Sequence, residues 1–247
     1  MIELEQDGGI ARIFLNRPQK VNALDSAMLA ALATLIEGLQ EEKSLRVVVL
    51  AGRGKAFCGG ADVRELASLD QASAPAFVAK VHRVCGAIRA LPVPVVARLH
   101  GAVIGAGLEI AAACDLRIAA QGTRFAMPEV RLGIPSVVEA ALLPRLIGSG
   151  RAAWLVLTGE PIDAERACAW GLVEELCAAA ALDQATDRLV QSLLAADAQA
   201  LRLQKELLEL WDEVPLAASI DASLARFAEA YAGGVPPALR RHTISRA

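Results

Sequence analysis

The stretch from Leu91 to Pro135, LPVPVVARLHGAVIGAGLEIAAACDLRIAAQGTRFAMPEVRLGIP, limits the possible folds most severely. Its β-branched run Val93–Leu99 reads as a buried strand. The chain then turns through Gly101, Gly105 and Gly107 into a helix of small residues carrying one acid, Glu109. It leaves through Asp115 into a second apolar run and meets another isolated acid, Glu129, bracketed by Pro128 and Gly133. Two carboxylates in apolar surroundings, beside a Gly-rich turn that opens a helix, suit acid/base chemistry next to an anion-stabilising site. A glutamate among Leu108, Ile110 and alanines is costly to bury ionised without partners. The competing readings make Glu109 a solvated helix-face residue and Glu129 a loop acid paired with Arg124 or Arg131.

Around this stretch the sequence alternates strands and helices. Ile2–Glu5 and Ile10–Leu15 read as strands joined at Asp7-Gly8-Gly9, a hairpin signal. Asp25 or Ser26 caps a helix with Leu29, Leu32, Ile36 and Leu39 on one face. Arg46–Ala51 is a short buried strand, and Gly52–Lys55 is a loop with two cations. Ala56–Asp62 is a turn of small residues, and Ala74–Leu91 is a helix stopped by Pro92 and Pro94. Residues Val138–Ile147 and Arg151–Leu157 read as helical, Asp163 caps a short helix, and Gly171–Val173 is extended. Beyond Ala178 the strand signals vanish and three helices follow: one through Leu182, Thr186, Leu189 and Leu193, then Ala200–Trp211 and Pro215–Tyr231. A basic tail with Arg240, Arg241, His242 and Arg246 ends the chain. The pattern predicts an α/β core over residues 1–177 and a helical segment over 178–247.

Composition excludes several functions. The chain of 247 residues is 55% hydrophobic with net charge −3, which gives no general attraction to nucleic acid or anionic membrane. No secretion signal or transmembrane run is expected. The five cysteines (58, 85, 114, 168, 177) lack metal or redox spacing and read as reduced thiols in a cytoplasmic protein. The three histidines are scattered, so neither a metal site nor a Ser-His triad is expected. Gly105-x-Gly107 followed by Ile110 fails the dinucleotide fingerprint.

The ordered motifs resemble the enoyl-CoA hydratase/isomerase (crotonase) superfamily. They are Leu15–Pro18 with Asn22-Ala23-Leu24, Ala56–Asp62, His100-Gly101 through Gly105–Glu109, Ala113–Asp115, and Pro128–Val130 with Leu132-Gly133. The resemblance implies a spiral of ββα units, a C-terminal helical oligomerisation segment, and a homotrimer or dimer of trimers. It implies an acyl-CoA substrate whose enolate is stabilised by the backbone N–H groups of Gly59 and Ala106. Glu109 would direct water to carbon 3. Glu129, protonated and with a raised pKa, would give a proton to carbon 2. Lys20, Arg53 and Lys55 are the candidate cations for the CoA phosphates, and Ala23, Gly60, Ala61 and Asp62 lie along the CoA arm. Asp62 also caps the following helix, and Asp115 is structural. Coenzyme A is part of the substrate, so no separate cofactor is expected.

The sequence departs from the family pattern in two places. Where many members have a Gly-rich loop, this chain has Ser136–Ala141, with Glu139 as a third acid, read first as a helix N-terminal residue favoured by the dipole. Gly233–Pro237 replaces the last helix, which bears on the adenine cover and on assembly. The resulting expectation is an enoyl-CoA hydratase. The alternatives are a Δ3,Δ2-enoyl-CoA isomerase or another crotonase reaction, and then a non-catalytic acyl-CoA-binding member.

Overall fold

In the computed structural model, which describes residues 1–237, 239 and 240, nine strands and ten α-helices alternate. The strands are β1 (Ile2–Asp7), β2 (Ile10–Leu15), β3 (Val47–Gly52), β4 (Val95–Leu99), β5 (Ala102–Ile104), β6 (Leu116–Ala120), β7 (Arg124–Ala126), β8 (Ile162–Asp163) and β9 (Glu175–Cys177). The helices are α1 (Ser26–Leu39), α2 (Val63–Leu66), α3 (Ala74–Arg89), α4 (Ala106–Ala113), α5 (Leu143–Ile147), α6 (Ser149–Thr158), α7 (Ala164–Trp170), α8 (Leu182–Ala195), α9 (Ala198–Glu213) and α10 (Leu216–Glu229).

The main sheet has the order β1-β2-β3-β4-β6-β9. The β1–β2 hairpin is antiparallel and every later pairing in this sheet is parallel. Strand alternation divides its side chains between two faces. Ile13, Leu15, Val48, Leu50, Val95 and Ala97 enter the large core with α1, α3 and α4. Val47, Val49 and Val96 face the other way, towards Val190 and Leu189 of α8. Covering both faces is what a parallel sheet of Val, Ile and Leu requires. Helix α8 therefore completes the sheet's second face, although it lies beyond the 177/178 boundary drawn from strand content.

A second sheet, β5-β7-β8, was not legible in the sequence. Its strands are two or three residues long, too short to show a period, and β5 and β7 pair across about 20 residues of intervening chain. The extended piece expected at Gly171–Val173 lies instead at β9, because Gly171 serves as the left-handed cap of α7. The helix expected over 138–147 divides into a 3₁₀ turn, Val138–Leu142, and α5. Val138 has φ +43°, a conformation unfavourable for a β-branched residue, and Pro144 stands in the first turn of α5, where its missing N–H costs nothing. The caps expected at Asp25, Asp62 and Asp163 are formed, each side chain accepting from a first-turn N–H. No helix among the described residues is long and apolar enough to cross a membrane. Of the basic tail, Arg241, His242 and Arg246 lie outside the described residues.

Candidate active site

The loop after β3 is held by Asn22. This fully buried side chain donates through Nδ2 to the carbonyls of Arg53, Ala56 and Phe57 at 2.9, 2.8 and 3.1 Å. Its Oδ1 accepts from Arg17 N at 2.8 Å. Asn22 has φ +55°, which asparagine tolerates better than most residues. Arg17 in turn donates to Asp62 at 2.7 Å and to the Ala23 carbonyl at 2.9 Å. That ion pair comes first among the causes that hold the Asp62 carboxyl below its ordinary range. Sequence reasoning quoted Asn22 and Arg17 as motif residues but did not see that they shape the loop.

The loop presents its backbone to the start of α4. Gly60 has φ +94°, and a Cβ there would meet the Ile104 carbonyl at 2.8 Å and lie 3.9 Å from Ala106 N. Ala106 is the first residue of α4, and its N–H, like that of Ala61, has no hydrogen-bond partner among the described residues. The first N–H groups of a helix are unsatisfied by construction and carry partial positive charge. The Gly59 N–H is different: it donates to the Val21 carbonyl at 2.8 Å. The expectation that Gly59 and Ala106 form the donor pair is therefore corrected. The free pair is Ala61 and Ala106, and Gly59 only lines the cavity.

Glu109 and Glu129 both line that cavity, of about 170 Å³, together with Gly59, Gly60, Ala61 and Ala106. Glu109 is buried on α4, and its Oε1 accepts from Ala140 N at 3.1 Å. Burial, then the charge of Glu129, push its carboxyl up to about 8, and the charge of Glu139 adds to the rise. A raised pKa is found at Glu109, the acid enclosed by the core. Glu129 stands on a 3₁₀ turn, Glu129–Leu132. Its Oε2 accepts from Ser136 Oγ at 2.8 Å, a partner the sequence did not suggest, and its Oε1 occupies the space a Cβ on Gly105 would need. Gly105, at φ +51°, leaves space that any side chain would fill.

Two clefts adjoin this cavity. One, of about 810 Å³, is apolar, walled by Leu66, Leu69 and Val78 on one side and Leu132, Ile134 and Val137 on the other. The second, of about 430 Å³, is lined by Lys20, Ala23, Gly59, Ala61, Asp62 and Arg64. Lys20 and Arg64 line this second cleft together. Arg53 does not: its guanidinium donates to Glu3 at 2.8 Å and to Glu5, and stacks over Phe14. Its charge is already neutralised by β1. Lys55 is exposed on the loop and lines neither cleft. Asp115 accepts from Val95 N at 2.7 Å and pairs with Lys205 at 2.5 Å, tying α9 to the sheet. Glu139 stands in the first turn of the 3₁₀ helix, as expected, and is in addition buried and bonded to His82 at 2.6 Å.

The profile of the enoyl-CoA hydratase/isomerase family matches residues 5–232. The chain is 37% identical to YngF of Bacillus subtilis over 237 residues, covering 95% of this chain and 90% of that one. It is 32% identical to the short-chain-enoyl-CoA hydratase of Clostridium acetobutylicum over 230 residues, 92% and 87% of the two chains. The crystal structure of an enoyl-CoA hydratase from Mycobacterium smegmatis superposes with a TM-score of 0.91 at 34% identity, covering 94% of this chain and 91% of the other.

Proposed function

The chain belongs to the enoyl-CoA hydratase/isomerase family, and from that premise we propose that it adds water across the 2,3 double bond of a 2-enoyl-CoA thioester. One observation carries the reading: two carboxylates, Glu109 and Glu129, share a small cavity with two unengaged backbone N–H groups, Ala61 and Ala106. The thioester oxygen receives those two donors, which act on the charge that develops as the enolate forms. Glu109 and Glu129 address carbons 3 and 2. One takes a proton from water and the other delivers a proton to carbon. The CoA arm follows the cleft of Lys20, Ala23 and Asp62, with Lys20 and Arg64 facing its phosphates. The acyl chain enters the apolar cleft between Leu66 and Val137. This chemistry needs no cofactor beyond the CoA carried by the substrate. The five free thiols fit a reducing, cytoplasmic setting.

One feature favours a second reading. Glu109 keeps its proton to about pH 8, which favours a mechanism that shuttles the proton on one carboxylate, Glu129. Isomerisation of a 3-enoyl-CoA needs only such a single shuttle. The assay that separates them follows the 2-enoyl absorbance: hydration of crotonyl-CoA consumes it, whereas isomerisation of a 3-enoyl-CoA creates it. Glu129→Gln should lower turnover by about 100-fold or more while CoA-ester affinity stays within a few-fold. Undiminished turnover in that variant would remove Glu129 from the chemistry.

Assembly follows from α10. Leu216, Ile220, Leu224 and Phe227 are all more than half exposed and lie three or four residues apart on one stripe. A solvent-facing apolar stripe of this kind marks a contact surface. We assign it to the interface of a homotrimer, or of a dimer of trimers.

A further inference from the structure

The cavity that holds the two acids is small, about 170 Å³, whereas the apolar cleft beside it measures about 810 Å³. The two are continuous, since Leu66, Val78, Leu132, Ile134 and Val137 line both. Val63 and Leu132 are more than half exposed, and Ile134 and Val137 more than a third. Large apolar side chains from two separate segments, α2 and the 132–137 stretch, thus border one opening without covering each other. Such surface is unfavourable in water, and a contiguous patch of it marks a binding groove. The cleft of Lys20 and Arg64 meets this one at Val63, so the CoA arm and the acyl tail leave the cavity by different exits.

The walls select by charge as well as by size. Among the described residues no lysine, arginine or histidine lines the cleft, and its one ionisable group is Asp70. Asp70 Oδ1 accepts from Ser73 Oγ at 2.6 Å and from Ser73 N at 2.8 Å. These bonds, the hydroxyl first, hold its carboxyl below the ordinary range, so it is negative at neutral pH. Val137 and Val138 come from the segment that stands in place of a Gly-rich loop, and they wall the cleft and the cavity respectively.

We infer that the preferred substrates are 2-enoyl-CoA esters with medium or long, uncharged aliphatic tails, taken ahead of crotonyl-CoA, and that carboxylated tails are refused. The inference rests on the hydration reading and deepens it by naming the acyl class. Each methylene beyond the reacting carbons enters the cleft and displaces water from Leu132, Ile134 and Val137. A protein segment seated on the same walls would instead stand across the opening of the catalytic cavity and block it. A carboxylate at the end of the tail would leave water beside Asp70 with no cation to receive it.

The test is kcat/KM of the full chain for crotonyl-CoA, 2-octenoyl-CoA, 2-dodecenoyl-CoA and 2-octenedioyl-CoA, whose tail ends in a carboxylate. We expect 2-octenoyl-CoA to exceed crotonyl-CoA by about tenfold, mainly through a lower KM, and 2-dodecenoyl-CoA to keep that gain. 2-Octenedioyl-CoA should lose it. Ala67 is exposed and lines the cleft but not the cavity, so Ala67→Trp should bring the octenoyl-to-crotonyl ratio down to about one by filling the path of the tail. A kcat/KM that stays level or falls from crotonyl to octenoyl overturns the inference in the wild type alone. So does an octenedioyl ester used as well as octenoyl, or an Ala67→Trp ratio equal to that of wild type. Calorimetric binding of saturated butyryl- and octanoyl-CoA needs no turnover and separates the two readings. Octanoyl-CoA bound about tenfold tighter, with no enoyl ester hydrated, upholds the cleft and overturns the hydration reading; equal affinities overturn the cleft.

Discussion

At the scale of single residues, burial sets the proton affinity of Glu109. Glu109 binds it up to about pH 8, whereas an ordinary glutamate loses it above 4.5. Between those values the folded chain binds more protons than the unfolded chain, so stability must fall as pH rises. From pH 5 to pH 8 this one group should cost about 3 kcal/mol. Glu109→Gln removes the dependence, so urea denaturation should show the variant gaining on wild type as pH rises; parallel curves would refute the assignment. If Glu109 is the base for water, the same proton should suppress kcat/KM below about pH 8, as a pH–rate profile would show. Asn22 offers a second test. Its amide serves three backbone carbonyls, and Asn22→Ala should cost about 3 kcal/mol by leaving them unpaired, measured as a lower denaturation midpoint. The identity of the acids was legible in the sequence because isolated carboxylates in apolar runs are conspicuous. The Ala61 donor was not, because a free N–H is known only once the partner of its neighbour, Val21 O for Gly59, has been found.

At the scale of elements, α4 and the loop after β3 make the site by meeting. The helix supplies Ala106 N–H at its first turn and Glu109 one turn later, so donor and carboxylate sit on one rigid piece. Its entry through Gly105 was readable from the glycine run. Glu129 packing on that glycine was not, since it joins residues 24 apart through tertiary contact. Gly105→Ala should therefore strike Glu129 as well as strain the backbone at φ +51°. We expect turnover to drop about 100-fold through displacement of the acid, with the circular dichroism spectrum retained; a fully active variant would mean that Glu129 need not sit there. The helices were legible from their 3.6-residue period and caps, and the long strands from β-branched runs. The three-residue strands β5 and β7 carried no such period, yet they bring the loop and the start of α4 together.

At the scale of the whole molecule, α8 closes the sheet while α10 remains with an apolar stripe turned outward. If that stripe forms the proposed homotrimer interface, replacing Leu224 and Phe227 by glutamate should leave monomers in sedimentation velocity; an unchanged oligomer would place the interface elsewhere. The order of motifs along the chain was enough to establish the family, the alternation of strand and helix, and the pair of acids, because periodicity, capping and glycine turns are local properties written in neighbouring residues. Tertiary structure alone decided which backbone N–H groups stay free, that Glu109 retains its proton, that Arg53 is spent on β1, and that Glu139 reaches His82. Each of these depends on desolvation and on partners brought in from distant parts of the chain, and neither quantity exists until the chain has folded.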